Sequence, residues 1–344
     1  MIEWIEVSAF MEKIRDFLIL DVRSPLEYTQ GNLPGAVNIP LFSDSERAVI
    51  GTIYHQKGRE AAIIKGLDIC LPKTSEYLDH LRRIAEKKSV FLYCWRGGFR
   101  SKLMAEVFSS SGYKVGVLNG GYKSYRRFVR DGFSNEAPVV VLGGFTGSGK
   151  TQLLEYIANQ GEQVIDFEKL ASHKGSVFGA LGQGTQSTNE QFENNLFALW
   201  SEMDFSRPIW MEDESRMIGK VTLPDPVFKQ LNKGLMISVE LPFNKRISRL
   251  VQEYSGFDKV QLASAILKLQ ERLGGLYTKE ALLSLESGQF EKVAEILLAH
   301  YDKAYQYSMN RKGSEKVYKM TLSADKMDEN AVKIINFVNK ILSK

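Results

Sequence analysis

Cysteine and histidine are both scarce in this 344-residue chain, with two of the former and four of the latter. Two cysteines, Cys70 and Cys94, cannot build a disulfide framework or a cysteine-lined zinc site. His55, His80, His173 and His300 are scattered without metal-ligand spacing, so no structural transition metal is expected. No apolar run approaches the roughly 18 residues that span a bilayer. The first residues, Met1-Ile2-Glu3-Trp4-Ile5-Glu6-Val7, lack the basic start and apolar stretch of an export signal. A cytoplasmic protein without a membrane segment is therefore expected. The composition, 44% hydrophobic and 25% charged, is that of an ordinary soluble globular chain. Its length suggests about two domains.

Net charge is only +4, but it is unevenly placed. Residues 81–130 hold twelve basic side chains against Glu86 and Glu106, a local net of +10. A solvated surface would explain such a run. A polyanion such as RNA would explain it equally well, because the charge brackets a reactive loop. Lys102, Lys123, Arg126, Arg127 and Arg130 are the candidate contacts for such a partner.

Short apolar runs alternate with helical patterns, which predicts an α/β chain with parallel sheets. Strands are expected at Phe17-Leu18-Ile19-Leu20, at Val90-Phe91-Leu92-Tyr93 and at Val115-Gly116-Val117-Leu118. After a linker at 131–138, a second α/β unit begins with Val139-Val140-Val141-Leu142. Further strands are expected at 163–166, 208–211 and 235–239. Residues 175–190, rich in Gly, Ser, Thr and Gln, read as a long functional loop. From about Asn244 onward the pattern is helical. The expected divisions are 1–134, 135–243 and 244–344, the last a helical part packed on the second unit.

Two loops carry the chemistry. Cys94-Trp95-Arg96-Gly97-Gly98-Phe99-Arg100-Ser101 follows a strand and opens a helix. Backbone N–H groups gathered there would stabilise a thiolate or hold an oxyanion, with Arg96 and Arg100 adding charge. Cys70 lacks such surroundings and reads as core. The second loop, Gly144-Phe145-Thr146-Gly147-Ser148-Gly149-Lys150-Thr151, matches the Walker A pattern in its expected strand-to-helix context. Thr146, Gly147, Ser148 and Gly149 would face phosphate oxygens, Lys150 would offset their charge, and Thr151 would ligate magnesium. Such a loop requires a diphosphate, not ATP in particular. Asp166, His173, Lys174, Glu212, Asp213 and Arg216 lie in or beside loops that follow strands, where α/β sites gather, and either Asp166 or the run Glu212-Asp213-Glu214 would hold a metal through water.

The first 130 residues resemble the rhodanese family. Leu20-Asp21-Val22-Arg23-Ser24-Pro25-Leu26-Glu27-Tyr28 is similar to its first signature, and Leu118-Asn119-Gly120-Gly121-Tyr122 to its last. Gly31-Asn32-Leu33-Pro34-Gly35-Ala36-Val37-Asn38-Ile39-Pro40 belongs to the same pattern, with Asn32 where histidine is common. The resemblance implies a persulfide-carrying Cys94 supported by Asp21 and Arg23. Five residues separate Cys94 from Arg100, one more than in many rhodanese loops and equal to the cysteine phosphatase spacing. That widens the pocket toward a phosphorus- or selenium-bearing oxyanion.

Taken with the phosphate loop, the whole chain resembles the family of bacterial tRNA 2-selenouridine synthases. The resemblance is carried by Asp166-Phe167-Glu168-Lys169-Leu170-Ala171-Ser172-His173-Lys174-Gly175-Ser176, by Gln191-Phe192-Glu193-Asn194 and by Trp210-Met211-Glu212-Asp213-Glu214-Ser215-Arg216. It implies replacement of sulfur by selenium at a wobble 2-thiouridine in tRNA, through an S-geranyl intermediate. Geranyl diphosphate and selenophosphate would be co-substrates, magnesium could accompany the diphosphate, and no cofactor would be tightly bound. Two other readings stay open: an ATP-dependent tRNA or small-molecule sulfurtransferase, and a non-catalytic regulatory module.

Overall fold

The computed structural model describes residues 1–14, 17–311, 317–323 and 326–343. The chain is mixed α/β with parallel sheets and divides into two compact units. The first comprises residues 1–133 with 193–198, and the second 134–192 with 199–344.

In the first unit, β1 (Ile2–Ile5), β2 (Leu18–Asp21), β3 (Val37–Asn38), β4 (Ser89–Tyr93) and β5 (Lys114–Leu118) form one sheet in the order β1-β5-β4-β2-β3. Every pairing is parallel. Strands covered on both faces read as unbroken apolar runs, and Val90, Phe91, Leu92 and Tyr93 are accordingly all buried. The helices Thr74–Ile84 and Phe99–Ser110 bury Leu81, Met104, Ala105 and Phe108 into the same core as Leu20, Leu92 and Cys70. The longest helix of this unit, Asp44–Cys70, begins with a capping box between Ser43 and Glu46 and is broken at Gly58 (φ 87°). The helix Gly121–Gly132 takes in two residues expected to be linker.

The second unit is built on β6 (Val139–Gly144), β7 (Gln163–Ile165), β8 (Ile209–Glu212), β11 (Leu235–Glu240) and β12 (Val317–Thr321). A two-stranded ribbon, β9 (Met217–Ile218) and β10 (Val221–Thr222), lies apart from that sheet. The main sheet runs β12-β11-β6-β8-β7, all parallel, so β6 is central and fully buried. One feature departs from the expected run of helices after residue 244. The segment Val317–Thr321 is a strand that completes the sheet, pairing Met236 with Val317 and Glu240 with Thr321. The helix Met327–Leu342 then buries Ala331, Ile334 and Val338 in the same core as Leu153 and Ile157 of the helix Lys150–Asn159. Between these, the helices Phe243–Tyr254, Lys259–Lys268, Gly275–Glu286 and Phe290–Arg311 supply or adjoin a second apolar core containing Ile266, Leu269, Ala281 and Leu285.

Candidate functional sites

Cys94 stands at the carboxyl end of β4, where parallel sheets gather their sites. The loop after it curls back on Gly120 and Gly121. Tyr122 N–H donates to the Cys94 carbonyl at 2.8 Å and Lys123 N–H to that of Trp95 at 3.0 Å. Gly121 has φ +60°, and a Cβ there would collide with the Cys94 carbonyl and the Gly97 nitrogen. Only glycine meets both demands. Among the described residues, the N–H groups of Arg96, Gly97 and Gly98 find no internal acceptor. They are available to an anion at the start of the helix Phe99–Ser110. Cys94 itself is 3% exposed, whereas Trp95, Arg96 and Gly98, which follow it, are exposed. The thiol is thus the floor of the loop rather than its rim.

Asp21 and Arg23 are wholly buried and paired, with Nη2 to Oδ2 at 2.6 Å. Arg23 also donates to the Gly31 carbonyl and lies 3.8 Å over the Tyr122 ring. Burial alone would lower its pKa, but the hydrogen bond and charge of Asp21 outweigh that and raise it. The pair is buried, and its contact toward the cysteine loop is the Tyr122 ring, whose residue donates its N–H to the Cys94 carbonyl.

Arg100, expected to add charge to the loop, has that charge engaged by a carboxylate. Its guanidinium forms a fork with Glu27, Nη1 to Oε2 at 2.6 Å and Nη2 to Oε1 at 3.2 Å. Burial pushes the Glu27 carboxyl up, yet Arg100, with the Ser24 N–H and Arg47, brings it below its ordinary value. Arg100 therefore braces the loop, and Arg96 is the arginine left exposed beside it. Arg126 departs likewise from the expected phosphate contact. It is held by Glu193 and by Asn194 Oδ1 within the first unit. Lys123, Arg127 and Arg130 remain exposed on the helix Gly121–Gly132, and Lys102 on the helix Phe99–Ser110.

The phosphate loop joins β6 to the helix Lys150–Asn159. Gly147 (φ +77°) and Gly149 (φ +80°) take left-handed conformations, and Gly149 caps the helix. One expected donor is engaged internally, Ser148 N–H bonding the Phe145 carbonyl at 3.1 Å, and Gly144 N–H at the start of the loop bonds the Tyr305 hydroxyl at 2.7 Å. The N–H groups of Thr146, Gly147 and Gly149 have no internal acceptor among the described residues. Lys150 Nζ donates to the Gly144 carbonyl at 3.1 Å, with no carboxylate in ion-pair contact among the described residues. The loop opens on a cavity of about 440 Å³ whose walls include Lys150, Thr151, Glu168, Lys174, Glu214 and Arg249.

Beside it, Glu168, Glu212 and Glu214 bring carboxylate oxygens within 4.8 Å of one another. Glu168 N–H donates to Glu212 Oε1 at 2.8 Å, and Thr151 Oγ1 donates to Glu168 Oε2 at 3.1 Å. Glu212 Oε2 is buried without a partner among the described residues. Burial, and then the charge of Glu168, pushes Glu212 well above the usual carboxylate range and Glu214 up to about 7. Glu168 is also raised, chiefly by burial, with Lys150 working against the shift. Such a trio either holds protons or takes a hard cation, and its oxygen donors suit magnesium. Thr151, the expected magnesium ligand, adjoins the trio through Glu168.

The other candidates lie in different settings. Asp166 caps the short helix Phe167–Ala171, accepting from Lys169 N–H at 2.8 Å. Asp213 lines the cavity next to Tyr305, whose pKa is raised chiefly by burial and then by the Asp213 charge. His173 is partly buried, with burial lowering its pKa. Lys174 is paired with Glu253, and Arg216 is turned outward to Asp225. Glu214 stood in the sequence reading only within the acidic run Glu212-Asp213-Glu214, and in extended chain after β8 period two places it on the same side as Glu212. Arg249 and Tyr305 escaped that reading. Arg249 and Tyr305 reach the loop from helices more than ninety residues downstream, which no local spacing reveals.

A family profile described as the tRNA 2-selenouridine synthase AAA domain matches residues 137–271, and one for the rhodanese-like domain matches residues 5–128. A tRNA 2-selenouridine synthase of Nitrosomonas europaea is 37% identical over 295 residues, covering 83% of this chain and 76% of its own. Relatives of the same name in Shewanella frigidimarina and Shewanella piezotolerans are 31% and 33% identical. Those matches cover 87% and 89% of this chain, and 90% and 92% of theirs.

Proposed function

The chain belongs to the tRNA 2-selenouridine synthase family, and from that premise we propose a two-stage exchange of sulfur for selenium at a wobble 2-thiouridine of tRNA. A thiocarbonyl sulfur is a poor leaving group, and alkylation turns it into a good one. In the first stage the phosphate loop holds geranyl diphosphate. The uridine sulfur attacks the allylic carbon, the carbon–oxygen bond to diphosphate breaks, and diphosphate leaves. Lys150 and the open N–H groups of Gly147 and Gly149 offset the charge growing on that leaving group. Magnesium, held by Thr151 with the Glu168, Glu212 and Glu214 trio, would add charge neutralisation there.

In the second stage the cysteine loop receives selenophosphate above the Cys94 thiol, its selenium already at the selenide level. That selenium adds to C2 of the uridine, which bears the S-geranyl group, the geranyl thiol departs, and water then cleaves the selenium–phosphorus bond to release phosphate. The free N–H groups of Arg96, Gly97 and Gly98 suit the phosphate-like oxygens, and exposed Trp95 offers a stacking face to an unstacked uridine. The observation that carries the reading is a complete phosphate loop, its Lys150 free of carboxylate contact, on the same chain as a cysteine floored beneath open N–H groups.

Lys150→Ala tests the first stage. It should lower S-geranylation by about a hundredfold or more, the loss expected of one charge-stabilising group, and weaken geranyl diphosphate binding in isothermal titration. Intact geranylation in this variant, with loss of an ATP-dependent activity instead, would favour the nucleotide-driven sulfurtransferase.

A further inference from the structure

A second cavity adjoins the phosphate cavity, and the two share Thr146, Ser176, Leu250, Tyr254 and Tyr301 as common wall. Beyond those residues its character changes. Leu262, Ile266, Leu285, Val293, Ala294 and Leu297 line it, contributed by the helices Lys259–Lys268, Gly275–Glu286 and Phe290–Arg311. Among the described residues, no Asp, Glu, Lys, Arg or His contributes to its wall. At about 70 Å³ it is tight, the room of two or three waters.

Resting on the reading that the phosphate loop holds a prenyl diphosphate, the geometry points to this second cavity as the seat of the hydrocarbon chain and the gauge of its length. A nucleoside would bring ring nitrogens and hydroxyls into a wall with few partners for them, and each unpaired polar group loses affinity. A prenyl chain brings none. Esterified to a diphosphate in the first cavity, it reaches the second across Leu250 and Tyr254 without leaving protein. The small volume favours a slender chain that displaces the Leu297 and Ile266 side chains slightly, and disfavours a longer one. Apolar burial of that chain then adds to the grip on the diphosphate.

The test compares geranyl diphosphate with inorganic pyrophosphate by titration calorimetry on the full-length protein. The wild type should bind geranyl diphosphate at least about tenfold more tightly than pyrophosphate. Ala294→Phe fills the cavity and should erase that difference while pyrophosphate affinity stays within about twofold, a margin small on the affinity scale. Undiminished geranyl diphosphate affinity in a folded Ala294→Phe protein would overturn the assignment. Leu285→Ala, which removes wall without adding bulk, should shift preference from geranyl toward farnesyl diphosphate. An unchanged ratio of the two affinities would count against the gauge. Pyrophosphate binding that survives Lys150→Ala would instead sink the phosphate-loop reading on which the proposal stands.

Discussion

Glu212 is a carboxylate that burial should have excluded, and its retention shows what the residue scale contributes. Three carboxyls share a small volume at the end of β8 and the start of the helix Phe167–Ala171, and their pKa values rise together. The sign of the resulting pH effect is fixed. A carboxyl whose folded pKa exceeds its ordinary value prefers its proton in the folded state. Its contribution is fully present below the ordinary value of 4.5 and is lost as pH rises through the folded value, about 7 for Glu214. In chelator-treated protein, the urea midpoint should therefore fall between about pH 5 and pH 8, and Glu214→Gln should flatten that fall. Equal slopes in both proteins would mean that the trio is ionised throughout. At this scale the Cys94 loop, the phosphate-loop residues and the acidic run Glu212-Asp213-Glu214 were legible from local spacing, and Glu168 from the family resemblance. The redirection of Arg100 to Glu27 and of Arg126 to Glu193 was not, because each depends on a partner brought near only by the fold.

At the scale of elements, each site is a loop that leaves the carboxyl end of a parallel strand and enters a helix. Continuous apolar runs announced the central strands, since β4 and β6 are covered on both faces. The helix Asp44–Cys70 was less visible, because most of its residues face solvent and Gly58 interrupts its period. The strand β12 was invisible for another reason. Five residues, Val-Tyr-Lys-Met-Thr, at a sheet edge carry little pattern, and their pairing partner β11 ends some eighty residues earlier. The contact between loops yields a prediction here. Gly121→Ala places a Cβ against the Cys94 carbonyl and forces a left-handed alanine, at a cost of about 1–3 kcal/mol. Thermal unfolding should register that loss, and selenation should fall further than geranylation. An Ala variant with wild-type melting and selenation would remove Gly121 from the account of the cysteine loop.

For the whole molecule, no described helix is long and apolar enough to cross a membrane, and the excess positive charge gathers in the first unit. Lys123, Arg127 and Arg130 recur at four- and three-residue intervals along one exposed helix, a spacing that keeps them on one face. Replacing all three by alanine should weaken tRNA binding and reduce the slope of log affinity against log salt by about 2, as for three lost phosphate contacts. Arg126→Ala, by contrast, should leave the slope unchanged, since that side chain is already bound to Glu193 and Asn194. A slope that responds to Arg126 and not to the other three would relocate the tRNA surface. The domain pairing itself was readable because both loops are short contiguous motifs. The apolar cavity beside the phosphate loop was not, because its wall comes from three helices that read separately as ordinary core stripes.

The central claim, that Cys94 serves selenium transfer while the phosphate loop serves geranyl transfer, is tested most directly by nucleoside mass spectrometry of tRNA from cells expressing only Cys94→Ser. The account predicts S-geranyl-2-thiouridine in that tRNA with no 2-selenouridine. Absence of both nucleosides from cells holding a folded, tRNA-binding Cys94→Ser protein, or undiminished 2-selenouridine, would contradict it.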